Sequence, residues 1–148
     1  MSGSSKAGQV AREIADSCIA MRCRRLSRQI TRLYDEAMRE HGIKTSQVNI
    51  LVAVARRKTA RPRDLAVALQ LDVSTFSRNA RLMRECGWIE EIEGADARSR
   101  PLRITAKGSA LLVSIAADWK RAQRQADRWL GPGGIKFLDT ASSRATKP

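Results

Sequence analysis

Apolar residues near the start of the chain recur at Ile19, Cys23, Leu26, Ile30, Leu33 and Ala37, in alternating steps of four and three. That spacing keeps one side of an α-helix apolar. Residues 10–40 hold neither Pro nor Gly, so one long helix is expected there, with Gly42 as the left-handed residue past its end. A second helix is expected from Thr45 or Ser46 to about residue 57, carrying Val48, Ile50, Leu51, Val52, Val54 and Ala55. Pro62 suits the first turn of a short third helix over 62–70, with Leu65, Ala66 and Leu69 inward. A tight break at 71–73 follows. Asp72 or Ser74 then caps a fourth helix to residue 85, which Gly87 terminates.

From Trp88 the period changes to two, predicting short strands over 89–93 and 102–105 joined by a polar, Arg-rich link. Thr105 caps a final long helix whose stripe is Leu112, Ile115, Trp119, Ala122, Ala126 and Trp129, stopped by the run Gly131-Pro-Gly-Gly134. Residues 135–138 add at most one turn. Small polar residues at 1–8 and the last residues, 141–148, read as disordered or frayed. The chain is therefore expected to be mainly α with a small β-hairpin (α+β). The order helix, tight turn, helix, hairpin is a helix-turn-helix followed by a wing.

Its 148 residues fit one domain, 43% of them are hydrophobic, and aromatics make up 4%, so Leu, Ile, Val and Ala must build the core. No apolar run approaches a membrane span and the N-terminus has no secretion-signal pattern, so a cytoplasmic protein without membrane attachment is expected. Three cysteines with a single histidine make neither a disulfide framework nor a zinc site. Neither a metal nor another cofactor is expected.

Charge narrows the function. Lys and Arg total 28 against 15 acidic residues, a net charge of +13, and 21 of the 28 are Arg. Arginine forks match phosphates and guanine edges, so a nucleic-acid partner is indicated. The excess runs along the whole chain, which makes the body itself cationic. The fourth helix suits a major groove. Ser74, Thr75, Ser77, Arg78, Asn79 and Arg81 supply polar groups, while Phe76, Ala80, Leu82 and Met83 offer anchors to the core.

An enzyme reading finds little support. His41 stands alone beside the helix-ending Gly42, and no phosphate-binding glycine motif occurs. Glu90, Glu91 and Glu93 read as the solvated edge of the wing.

Residues 9–130 resemble the MarR family of winged-helix transcriptional regulators. The resemblance rests on Arg28-Gln-Ile-Thr-Arg-Leu-Tyr-Asp35, Gly42-Ile-Lys-Thr-Ser-Gln-Val-Asn-Ile-Leu51 and Leu71-Asp-Val-Ser-Thr-Phe-Ser-Arg-Asn79. It rests above all on Asp96-Ala-Arg98-Ser-Arg-Pro-Leu-Arg-Ile-Thr105-Ala-Lys-Gly108, similar to the wing pattern D-x-R-x6-T-x-x-G. The resemblance implies a homodimer on a palindromic double-stranded DNA operator, with repression the prevalent role. Residues 9–42 and 108–140 would be dimerisation helices around a DNA-binding lobe at 43–107. Ile19, Leu112, Ile115, Trp119 and Trp129 would lie in the dimer interface. Single-stripe helices of this length are in any case hard to cover within one protomer.

The resemblance also implies that Arg98 enters the minor groove, oriented by Asp96, while Arg100 and Arg103 meet phosphates. A small aromatic effector would respace the recognition helices. Other readings stay open: a redox-responsive regulator working through Cys18 and Cys23, with Cys86 packing only, or a sequence-tolerant basic architectural protein. Packing alone also accounts for Cys18 and Cys23.

Overall fold

The computed structural model of the chain describes residues 5–94 and 100–146. Helices α1 (Lys6–Ser17), α2 (Ile19–Ala37), α3 (Thr45–Arg57), α4 (Pro62–Ala68) and α5 (Val73–Glu85) are followed by strands β1 (Ile89–Glu91) and β2 (Leu102–Ile104). Three helices close the chain: α6 (Ala106–Ser114), α7 (Ala116–Leu130) and α8 (Gly134–Ala145).

Two of these boundaries correct the sequence reading at the N-terminus. Residues 6–8 are helical, because the Ser5 hydroxyl oxygen accepts the Gly8 N–H at 3.2 Å and caps α1. The long helix expected over 10–40 is broken at Cys18, whose backbone is extended. The break has a simple cause. At 3.6 residues per turn, Val10 and Ile14 on an unbroken helix would sit roughly 140–150° around from Leu26, Ile30 and Leu33. Re-starting the helix at Ile19 frees the α1 stripe from that fixed angle to the α2 stripe.

At the other end, the tail is helical to Ala145 rather than frayed from residue 141, and α8 is far longer than one turn. The third helix stops at Ala68 instead of residue 70, because Gln70 takes a positive φ of 52° and opens the turn into α5. The strands end at Glu91 and Ile104, shorter than expected. Gly42, at φ 67°, stands where expected, after a short 3-10 turn at Arg39–His41.

The core lies in the middle of the chain. Phe76, Met38, Ile43, Ile50, Leu51, Leu65, Met83, Ile89, Leu102 and Val54 are its largest fully buried side chains. The β1–β2 hairpin is antiparallel, with Ile89 opposite Ile104, Glu90 opposite Arg103 and Glu91 opposite Leu102. Leu102 also pairs with Ala60: the Ala60 N–H donates to the Leu102 carbonyl at 3.1 Å and the Leu102 N–H to the Ala60 carbonyl at 2.8 Å. The connector between α3 and α4 thus serves as a third short edge that seats the hairpin on the body.

Helix α2 packs on α7 within the same chain. Ala122 and Ala126 are buried there, small enough to let the helices approach, and the Tyr34 hydroxyl donates to the Gln123 side-chain oxygen. The terminal helices are therefore partly covered inside one protomer, contrary to the expectation from their length. Ile115, expected at a dimer interface, is 3% exposed and belongs to the protomer's own core. Trp119 and Trp129 stay 41% and 51% exposed, and Ile19 75%. Their bulky side chains are left open. Among the described residues no helix is long and apolar enough to cross a membrane.

Candidate nucleic-acid interface

The turn between α4 and α5 is held by main-chain bonds, with the Gln70 N–H donating to the Val67 carbonyl at 3.0 Å and the Leu71 N–H to the Ala66 carbonyl at 2.9 Å. Phe76, Ala80 and Met83 bury one face of α5 against the core. Ser74, Ser77, Arg78 and Arg81 are consequently exposed, while Thr75 and Asn79 are half-buried at the margins.

Asp72 begins the helix. Its Oδ1 accepts the Thr75 N–H at 2.8 Å and the Ser74 hydroxyl at 2.6 Å, and its Oδ2 accepts the Thr75 hydroxyl at 2.7 Å. A carboxylate capping a helix N-terminus meets both free N–H groups and the positive end of the helix dipole. These bonds, the Ser74 hydroxyl first, hold the Asp72 carboxyl far below the usual carboxylate range. One Asn79 amide N–H donates to the Thr75 carbonyl at 3.0 Å.

The hairpin is tied to α5 by charge. Glu91 pairs with Arg84 of α5 and, at 3.4 Å, with Arg100. Arg103 donates twice to Glu90, from Nε at 3.0 Å and Nη2 at 2.7 Å. The acidic residues of β1 are thus ion-pair partners rather than a merely solvated edge. Arg100 and Arg103 are exposed, and exposed pairs of this kind are worth little, so both guanidinia can exchange a carboxylate for a phosphate at small cost. Asp96 and Arg98 lie outside the described residues.

The end of the wing motif has a steric explanation. The Thr105 hydroxyl donates to the Gly87 carbonyl at 2.6 Å and accepts the Gly108 N–H at 3.0 Å, capping α6 while closing on the end of α5. Gly108 is buried at a point where no side chain fits, directly over Trp88.

Two clusters escaped sequence reasoning. His41 Nε2 lies 2.8 Å from Asp118 Oδ2, across 77 positions of sequence, and Arg121 holds the other carboxylate oxygen at 2.6 Å. These bonds, His41 first, keep the Asp118 carboxyl below its ordinary range. Ser114 stands 3.4 Å from His41 Nδ1, but its hydroxyl donates at 2.9 Å to the Leu111 carbonyl. The trio is a clamp between the α2–α3 elbow and the α6–α7 break. At the same elbow the Asp35 Oδ1 accepts both the N–H and hydroxyl of Thr45, at 2.7 and 2.6 Å. No sequence signal marks either contact, since neither spacing repeats a helix or strand period.

A cleft of about 530 Å³ opens beside that elbow, lined by Arg32, Asp35, Glu36, Arg39, Gly42, Ile43 and Lys44. Of the cysteines, Cys18 is half-exposed at the α1–α2 break, and Cys23 and Cys86 are exposed. Exposure removes the packing role expected for Cys86 and for Cys23 within this protomer.

Residues 41–99 match the sequence model of the MarR family. Among solved structures, a cysteine-to-serine mutant of MarR from E. coli complexed with operator DNA is similar at a TM-score of 0.81 and 15% identity, covering 90% of this chain and 97% of that one. A probable transcriptional regulator from Pseudomonas aeruginosa is similar at a TM-score of 0.80 and 19% identity, covering 88% and 98%. The M. tuberculosis transcriptional regulator MOSR, in complex with DNA, is similar at 0.73 and 27% identity, covering 88% and 100%. No curated protein matches the chain in a sequence search.

Proposed function

From the match of residues 41–99 to the MarR family model and the shared fold, we propose that this chain is a MarR-family winged-helix protein, a homodimeric, sequence-specific regulator of transcription that binds double-stranded DNA and represses. One observation carries the reading. The second helix of a helix-turn-helix presents an exposed polar face on a body of net charge +13, beside a hairpin whose described arginines, Arg100 and Arg103, are exposed. That similar folds are found bound to DNA, operator DNA in one case, supports a docking of this chain with α5 in the major groove and the hairpin beside it. A dimer would place two α5 helices in successive major grooves, about 10 base pairs apart on a palindrome.

The second copy covers what the protomer leaves open. Val10, Ile14, Ile19, Trp119, Trp129 and Phe137 are all at least 41% exposed on the terminal helices. The cleft at the α2–α3 elbow suits a small aromatic effector with an anionic group, since Ile43 lines it beside Arg32 and Lys44, while Glu36 is paired with Arg39 and Asp35 is bonded to Thr45. An occupant there would press on the junction joining the dimerisation helices to the DNA-binding lobe.

Fluorescence anisotropy with a duplex from beside the protein's own gene, near 150 mM salt and under excess competitor DNA, tests the proposal. A retained nanomolar Kd with two protomers per duplex is expected. Where competitor abolishes binding, selection from random duplexes separates a wrongly chosen site from charge-driven architectural binding, which returns no preferred sequence and has a steep salt dependence. Arg98→Ala is expected to weaken specific binding by about 1–3 kcal/mol with the melting temperature unchanged. Unaltered affinity and salt slope in that variant would reject the wing's groove contact.

A further inference from the structure

Which side chains of α5 read bases is a question of which donors remain available, and the answer rests on the DNA-binding reading above. A hydroxyl has one proton to donate. The Ser74 and Thr75 protons both go to the Asp72 carboxylate, at 2.6 and 2.7 Å. Asn79 is half-buried and its amide is turned onto the Thr75 carbonyl at 3.0 Å, along the helix rather than away from it. Adenine recognition by an asparagine needs the amide oxygen and nitrogen presented together. Arg81 lies beyond the first half of α5, and its exposed pair with Glu85 at 3.6 Å is as readily exchanged for a phosphate as those of Arg100 and Arg103.

Among the described residues, Val73, Ser77 and Arg78 are the exposed side chains in the first half of α5 with no hydrogen bond or ion pair. Val73, in the first turn of α5, is 69% exposed and can meet an apolar group of the DNA. A thymine offers one in the major groove, its C5 methyl, and a guanine offers the O6 and N7 acceptors that fit an arginine fork.

We propose that Arg78 and Val73 set the base preference, Arg78 on the O6 and N7 of a guanine and Val73 on the C5 methyl of a thymine. Ser77 lies between them. Asp72, Ser74, Thr75 and Asn79 are positioning residues, which hold the start of the helix and read no base. Val73 and Arg78 are ~7.5 Å apart along the helix and ~140° around it. Val73 therefore meets the groove from the first turn, while the long Arg78 side chain reaches it from the other flank. With base pairs stacked every ~3.4 Å, the two bases fall within about three base pairs of each other in each half-site.

The test selects bound duplexes from a random pool with the full chain, then titrates altered versions of the selected site by anisotropy. A half-site with both a guanine and a thymine is expected. Replacing that thymine by deoxyuridine, which lacks only the C5 methyl, should weaken the wild type severalfold and leave Val73→Ala indifferent. Arg78→Lys keeps the charge but not the fork, and should lose about tenfold of the preference for guanine while retaining the salt slope. Ser74→Ala should lower the melting temperature and, like Asn79→Ala, keep every base preference. A site whose recognition passes through Ser74 or Asn79, or survives unchanged in Val73→Ala and Arg78→Lys, overturns this inference alone. A wild-type selection with no preferred sequence overturns the regulator reading as well.

Discussion

At Gly108 a β-carbon would stand 2.1 Å from the Trp88 carbonyl oxygen and 2.9 Å from the Ile104 side chain. Main chain cannot yield as a flexible side chain does, so Gly108→Ala must push α6 off the hairpin. A loss of at least about 1–3 kcal/mol in urea unfolding is expected, the range of an overpacked core. Asp72 gives a pH-dependent counterpart. Its carboxyl is held below its unfolded value, so its stabilisation is complete above pH ~4 and fades as the pH falls further toward the folded value. Asp72→Ala should therefore melt below the wild type at pH 7, with the gap narrowing at pH 3. A constant gap would mean that the cap does not depend on ionisation.

Joints between elements can be tested one at a time. Helices α2 and α7 approach over Ala122 and Ala126, with the Tyr34 hydroxyl donating to Gln123 at the margin. Burial raises the Tyr34 pKa, so the phenol stays protonated and keeps donating at any physiological pH. Tyr34→Phe should cost about 1 kcal/mol, the net worth of one such bond, and Ala122→Leu more, by forcing the helices apart. Unfolding curves of the two variants give both numbers. Joints of this kind were not legible in the chain. Tyr34 and Gln123 are 89 positions apart, and no local period connects them.

The whole molecule has an uneven surface. Its middle supplies a closed core, while its ends carry exposed Val10, Ile14, Phe137 and Leu138 on α1 and α8. Apolar faces of that sort call for a partner, and under the proposed dimer Ile14→Asp or Phe137→Asp should shift sedimentation toward monomer. Operator affinity should fall with it, because a lone protomer reaches one half-site. Monomers in the wild type at micromolar concentration would contradict the assembly.

The elements themselves were legible in the chain because their causes are local. The Leu-Ile stripes, Gly42, Pro62, Gly87 and Thr105 act within a turn or two of sequence, and the helix-turn-helix, the hairpin and the polar face of α5 followed from them. Placement of partners across long separations belonged to the tertiary structure. It broke the first long helix at Cys18, drew Ile115 into the protomer's core, and gave Glu90 and Glu91 to arginines. It also turned Ser74, Thr75 and Asn79 onto their own helix. A residue type states which bonds a side chain can make, and only the folded chain decides which of them are already taken.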